Sequence, residues 1–189
     1  MSSVLLTTSL QTMSMNDTDN NTITNMVFID WQDIKWNILT EPSSAKYRNF
    51  NDEFENIEER YLNTFAFPEE ATRTLNNQNQ SNSHSFVELY IPSCGCKDCN
   101  SYLKISLTNL DSFTNVRELL SAINKEYSQR KITISELCKN DTENFIKNGL
   151  NRLNENLDVE LCTIMNNLLI FDNITKFNGK YYLILKNEF

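Results

Sequence analysis

The sequence predicts an α+β fold: an antiparallel sheet built from two hairpins, with helices packed on one face, preceded by a partly disordered N-terminal region. Two observations predict it. Apolar residues alternate with polar ones in two pairs of segments, within residues 86–107 and 170–185, which is the period of β-strands. Between these pairs, residues 114–127 repeat apolar side chains at helical spacing. Residues 85–189 are therefore the predicted α+β domain.

The N-terminal part divides by composition. Residues 1–25 consist largely of Ser, Thr, Asn and Asp, too polar to form a core, and are predicted to be a disordered tail. Residues 26–71 are predicted to hold an aromatic segment and an acidic amphipathic helix. The aromatic segment contains Trp31 and Trp36, the only tryptophans. Two interpretations remain open for them: either they complete the core of the C-terminal domain, or they bind a partner protein.

An acidic helix is predicted from Asn51 to Thr64. Its apolar stripe has the spacing of one helix face and consists of Phe54, Ile57, Tyr61, Leu62 and Phe65. Asn51 is a suitable N-cap, and Pro68 follows the predicted end. Residues 72–84 are almost entirely polar and are predicted to be a linker between the N-terminal segments and the domain.

The first hairpin is predicted within residues 86–107, where Val87, Leu89 and Ile91 form one apolar row and Leu103, Ile105 and Leu107 form another. A helix at 114–127 follows, with the capping-box pair Asn115 and Glu118. We expect it to cover Ile105. A short strand is predicted at 131–134, a helix capped by Asn140 or Asp141, and another that begins at Asp158.

The second hairpin is predicted around Asn178-Gly179, which favours a type I′ turn. That turn pairs Phe177 with Lys180 and Ile174 with Leu183, and it places Asp172 opposite Leu185. The run Leu168–Leu185 (LLIFDNITKFNGKYYLIL) and the Asn-rich N-terminal half resemble uncharacterised proteins of giant DNA viruses. The resemblance implies a viral origin, but no fold, activity or functional residue.

Three cysteines lie close together between the strands of the first hairpin, in Cys94-Gly-Cys96-Lys-Asp-Cys99. Such spacing lets one loop supply several ligands of a tetrahedral zinc site, which needs four. The fourth ligand would be Cys138, Cys162 or Asp98. The alternatives are a disulfide among the three cysteines and free thiols without a role. The expected cofactor is therefore none, with one structural zinc as the alternative.

Charge and composition bound the function. The chain has a net charge of −8, and residues 1–84 carry 12 acidic and 5 basic side chains, so nucleic-acid binding lacks its usual basic signal. No apolar run is long enough to span a membrane. The three glycines are isolated and there is one histidine, which argues against a phosphate loop or a catalytic triad.

These observations predict a non-enzymatic binding or structural protein that acts through protein–protein contacts. It is expected to be soluble and intracellular, in the host cytoplasm or the virion if viral. The alternative is a small zinc-stabilised regulatory or nucleic-acid-associated domain.

Overall fold

The structure is a computed structural model that describes residues 29–76, 86–94, 102–104, 110–133, 158–165 and 168–187. Its nine strands are β1 Ile34–Asn37, β2 Lys46–Arg48, β3 Phe54–Asn56, β4 Leu89–Pro92, β5 Tyr102–Lys104, β6 Lys131–Thr133, β7 Asp158–Glu160, β8 Ile170–Phe177 and β9 Lys180–Lys186. Seven of them form one sheet in the order β3-β2-β1-β8-β9-β4-β5, and β6 pairs with β7 separately. Among the described strands of the large sheet, only β4 and β9 pair in parallel. The α+β prediction is confirmed.

The helices are α1 Glu59–Leu62, α2 Pro68–Asn76, α3 Val116–Gln129 and α4 Leu161–Met165, with 3-10 turns at Trp31–Asp33 and Pro42–Ser44. The predicted capping box of α3 is present: the Glu118 amide donates to Asn115 Oδ1 at 2.8 Å, and the Asn115 amide donates to Glu118 Oε2 at 2.9 Å. These bonds satisfy amides that the first helical turn leaves free. Among the described residues, no helix has the length and apolarity that crossing a membrane requires.

One hydrophobic core joins the large sheet to α3. The helix buries Leu119, Leu120 and Ile123, and the sheet contributes side chains from β1, β4, β8 and β9. The sheet residues of this core include Trp36, Leu89, Ile91, Phe171 and Leu183. Because side chains alternate along each strand, the other face of the sheet carries a different set, which is described below.

Both predicted hairpins exist. β4 pairs antiparallel with β5, and β8 pairs with β9 in the predicted register, with Phe177 opposite Lys180 and Ile174 opposite Leu183. Asn178 and Gly179 have φ angles of 50° and 75°, as a type I′ turn requires. The pairing of Asp172 with Leu185 is wrong, because a bulge between residues 171 and 173 shifts the register and puts Phe171 opposite Leu185.

The predicted helix from Asn51 to Thr64 is also wrong. Asp52 has a φ of 63°, a left-handed conformation that a helix cannot contain. The residues that follow form β3 against β2, and only Glu59–Leu62 is helical. Ile57 and Leu62 are buried in the structure, and they would also be buried on one face of the predicted helix. The spacing of apolar residues therefore could not distinguish that helix from a strand followed by a short helix.

The N-terminal segment belongs to the same sheet and core as the predicted domain, since β1 pairs with β8. Of the predicted linker, residues 72–76 are helical within α2, and residues 77–84 lie outside the described part of the chain. The helix predicted from Asp158 begins at Leu161, because Asp158–Glu160 forms β7 against β6. The tail, Ile105 and the helix predicted after residue 140 lie outside the described residues.

Candidate functional site

Trp31 and Trp36 lie in the core region and not on an open surface. Trp36 is 2% exposed, and its indole Nε1 donates to the Glu41 carbonyl at 3.3 Å. Trp31 is partly buried and packs against the core, with its ring centroid 5.8 Å from that of Phe171. The structure supports the interpretation that these residues complete the core. A partner cannot reach the Trp36 side chain while the fold is intact.

Of the three loop cysteines, the structure describes Cys94 alone; Cys96 and Cys99 fall outside the described residues. Cys94 is buried, with 3% of its surface exposed. Cys162, a candidate fourth ligand, is a partly exposed free thiol in α4. Within the described part of the chain, no group of three or more His, Cys, Asp or Glu side chains could hold a metal ion. The zinc site therefore stays a prediction.

The β2–β3 hairpin, residues 46–56, ends in a turn held by one side chain. Asn49 Oδ1 accepts hydrogen bonds from the amides of Asn51 at 2.9 Å and Glu53 at 3.0 Å. Asn49 Nδ2 donates to Glu55 Oε1 at 2.6 Å. Its own amide donates to the Glu53 carbonyl at 2.8 Å, and its carbonyl accepts from the Asp52 amide at 3.0 Å. These bonds give the turn a defined shape.

Two phenylalanines are exposed on this hairpin. Phe50, at the tip, is 96% exposed, and Phe54 in β3 is 37% exposed. The ring of Phe54 lies under two cations: Arg48 Cζ is 5.1 Å and Lys35 Nζ 5.9 Å from its centroid. Both distances suit cation–π attraction. Phe50 has no such contact among the described residues, so its ring stands in solvent on an ordered turn.

The charges around the tip are mostly acidic. Arg48 pairs with Asp52 at 3.2 Å and with Asp33 at 3.7 Å. Burial raises the pKa of Asp33, and the nearby carboxylate of Asp30 raises it further, although Arg48 acts in the opposite direction. Glu53 and Glu55 add two more carboxylates on exposed side chains. The hairpin therefore presents aromatic rings beside negative charge.

A polar cavity of about 510 Å³ lies beside the β8–β9 turn, lined by residues that include Glu70, Arg73, Lys176 and Tyr181. Glu70 accepts hydrogen bonds from Lys176 Nζ at 2.6 Å, Tyr181 Oη at 3.2 Å and Arg73 at 3.0 Å. These contacts connect α2 to β8 and β9. Since the charged groups satisfy one another, the cluster acts as a structural clasp that holds α2 against the sheet.

The pKa values of the clasp follow from these contacts. Burial alone would raise the pKa of Glu70, but the hydrogen bond and charge of Lys176 and the hydrogen bond from Tyr181 outweigh it, so the pKa is lowered. The hydrogen bond to Glu70 raises the pKa of Lys176. Burial, together with the Glu70 charge, raises the pKa of Tyr181 to about 12. At neutral pH the clasp is thus a carboxylate, an ammonium and a neutral phenol.

A row of tyrosines occupies the sheet face opposite α3. The rings of Tyr90 and Tyr182 are stacked with centroids 5.3 Å apart, and Tyr102 meets Tyr182 edge-on at 5.3 Å. Two cations are paired with carboxylates, Lys180 with Glu88 at 3.6 Å and Lys186 with Asp172 at 2.8 Å. These two pairs carry no net charge and do not by themselves favour a phosphate backbone.

Phe50 is absent from the predicted site residues because Asn51 was predicted to cap a helix. The signal was the run Asn49-Phe-Asn-Asp52, in which Asn and Asp favour turns and left-handed conformations. An aromatic residue inside such a run is a candidate hairpin tip. No protein-family model, curated protein or solved structure matches the chain.

Proposed function

We propose that this chain is a non-enzymatic protein-binding protein and that the β2–β3 hairpin is its contact surface. The observation that carries the proposal is Phe50, a large apolar side chain that is 96% exposed at the tip of an ordered turn. The rest of the described chain is the scaffold that holds the hairpin. The proposed contact surface lies in the acidic N-terminal half, as predicted from the sequence. It consists of Phe50 and Phe54, whereas the sequence-based prediction placed it on Trp31 and Trp36.

The energetics favour a binding role for Phe50. Leaving a phenylalanine in water forgoes about 1.5–3 kcal/mol of burial free energy, and this ring contributes nothing to the core. The Asn49 hydrogen bonds fix the turn beforehand, so a partner would not have to order it. Exposed aromatic residues on ordered turns are typical anchors that fill a pocket in a partner.

The other polar clusters support binding over catalysis. The clasp around Glu70 is internally paired, and Lys180 and Lys186 near the tyrosine row are each paired with a carboxylate. The alternative of a zinc-stabilised, nucleic-acid-associated domain gains no support from either feature.

Site-specific cross-linking tests the proposal. A photoreactive phenylalanine analogue is placed at position 50 or, as a matched control, at position 177, where Phe177 is also exposed. The extract comes from the organism that encodes the chain, or from its host cells if that organism is a virus, as the resemblance predicts. We expect one protein to be cross-linked from position 50 and not from position 177.

Substitutions complete the experiment. Phe50→Ser should abolish copurification of the cross-linked protein, and Phe177→Ser should leave it unchanged. Both variants should unfold at the wild-type denaturant concentration, because neither ring is in the core. Equal capture by both variants, or identical cross-links from both positions, would refute the hairpin as the contact surface.

A further inference from the structure

Strand β3 is an edge of the large sheet: it pairs with β2 on one side and has no neighbour on the other side among the described residues. Its three residues, Phe54–Asn56, are all exposed. An edge strand with accessible main-chain groups is the surface on which an added strand can form.

The register shows which main-chain groups face outward. The Asn49 amide donates to the Glu53 carbonyl at 2.8 Å, and the Ile57 amide donates to the Ala45 carbonyl at 2.9 Å. In an antiparallel ladder, every second residue directs its main-chain N–H and C=O groups toward the neighbouring strand. The main-chain groups of Glu55 therefore also face β2. Phe54 and Asn56 lie between these positions, and their N–H and C=O groups therefore point away from the sheet.

We propose that β3 binds an extended segment of a partner protein as an added antiparallel strand, hydrogen-bonded to the main chain of Phe54 and Asn56. The inference rests on the proposed protein-binding function and specifies its partner. The segment adds an eighth strand to the seven-stranded sheet, beside the turn that presents Phe50.

The side chains specify the chemistry of that segment. Glu53 and Glu55 lie on one face of the edge by strand alternation, so the segment residue opposite Glu55 should be basic. Phe54 lies on the other face, where Arg48 and Lys35 already contact its ring. Segment residues on that face should be apolar, because further cations there would meet like charges. The partner segment therefore alternates basic and apolar residues.

A second copy of the chain fits this edge poorly. Two copies could pair their β3 strands antiparallel through the outward main-chain groups of Phe54 and Asn56. That pairing would set Phe54 of one copy opposite Asn56 of the other. The two Glu55 carboxylates would then lie directly opposite each other, and like charges at that position are destabilising. The acidic edge thus disfavours self-association and favours a basic partner.

The test uses a blocked Lys-Val-Lys-Val-Lys peptide as the probe and the full chain as the protein. Amide hydrogen exchange is followed by NMR with and without the peptide. We expect the Phe54 and Asn56 amides to become protected. A Glu-Val-Glu-Val-Glu peptide should give no protection, and N-methylation of the two valines should weaken binding about tenfold or more, since it removes their main-chain donors.

A protein variant provides a second readout. Asn56→Pro removes an outward N–H without breaking a bond to β2 and should weaken peptide binding by a similar factor, whereas Asn56→Thr keeps the N–H and should bind normally. If Asn56→Pro does not fold, the N-methylated peptide still decides.

Three results would overturn strand addition. One is the absence of binding, and another is binding without protection of the two amides. The third is protection that grows with protein concentration when no peptide is present, which would assign the edge to a second copy. Cross-linking from position 50 does not depend on strand addition to β3. The two experiments together therefore distinguish a failure of the strand-addition proposal from a failure of the hairpin as the contact surface.

Discussion

Trp36 in β1 lies directly opposite Phe171 in β8, with ring centroids 6.4 Å apart. The indole is 2% exposed and Phe171 is fully buried. This pair joins the N-terminal aromatic segment to the C-terminal hairpin across the middle of the sheet. The scaffold that holds the β2–β3 hairpin therefore depends on residues from both ends of the described chain.

Replacing Trp36 by Ala should lower the free energy of unfolding by about 3–5 kcal/mol, as truncation of a buried aromatic residue does. Trp31→Ala should cost less, because Trp31 is only partly buried. Urea denaturation of the two variants and the wild type measures both effects. A Trp36→Ala variant as stable as the wild type would mean that β1 is not part of the core in solution.

A chain that begins at Ser85 should not fold by itself. It lacks β1, so the β8 edge and the Phe171 ring lose their partners. A chain that lacks only residues 1–25 keeps every described element and should unfold cooperatively. Circular dichroism during thermal unfolding compares the two. Cooperative unfolding of the shorter chain would restore the predicted boundary at residues 72–84.

The clasp should make stability fall at high pH. Tyr181 has its pKa raised from 10.0 to about 12 in the folded chain, so the unfolded chain loses this proton first. Between pH 10 and about pH 12, the folded state binds more protons than the unfolded state. The free energy of unfolding therefore decreases as pH rises through this range. The pKa of Lys176 is raised in the same sense. Tyr181→Phe should therefore flatten the decline, measured by urea denaturation at successive pH values. An unchanged slope would contradict the raised pKa.

The Cys94 thiol should resist alkylation in the native state. It is 3% exposed, whereas Cys162 is partly exposed, so iodoacetamide should modify Cys162 first. A reductant and a chelator are included, so that neither a disulfide nor zinc can be the source of the protection. Mass spectrometry of the digested protein measures both rates. Equal rates would show that Cys94 is not buried in solution, and a separate metal analysis decides the zinc alternative.

Asn49→Ala should destabilise the hairpin turn by on the order of 1 kcal/mol, because two amides lose their side-chain acceptor. The same change should weaken binding of the partner cross-linked from position 50, since the turn then has to be ordered on binding. Asn51→Ala is the control. Binding affinity and the exchange rate of the Glu53 amide test this. Equal effects of the two substitutions would argue against a preorganised tip.

The local features of the fold were predictable from the sequence. The capping box of Asn115 and Glu118 and the Asn178-Gly179 turn depend on residues a few positions apart, and both are present. The buried face of α3 follows from its helical period. These predictions succeeded because each depends on short-range geometry.

The long-range features were not predictable in this way. Periodicity identifies a strand but not its neighbour, so neither the pairing of β1 with β8 nor the parallel contact of β4 with β9 could be derived. The bulge at Asp172 shifted one register, and the conformation of Asp52 converted a predicted helix into a turn and a strand. Phe50, the centre of the candidate site, was missed for that same reason.

The pairing of β1 with β8 has a consequence for how the chain folds. Trp36 and Phe171 are 135 positions apart, so their contact closes a long loop of the polypeptide. Such closure carries an entropic cost before any contact compensates for it, and it makes folding slow. During synthesis β1 leaves the ribosome long before β8 is made. The first three strands therefore lack their central neighbour until β8 has been synthesised.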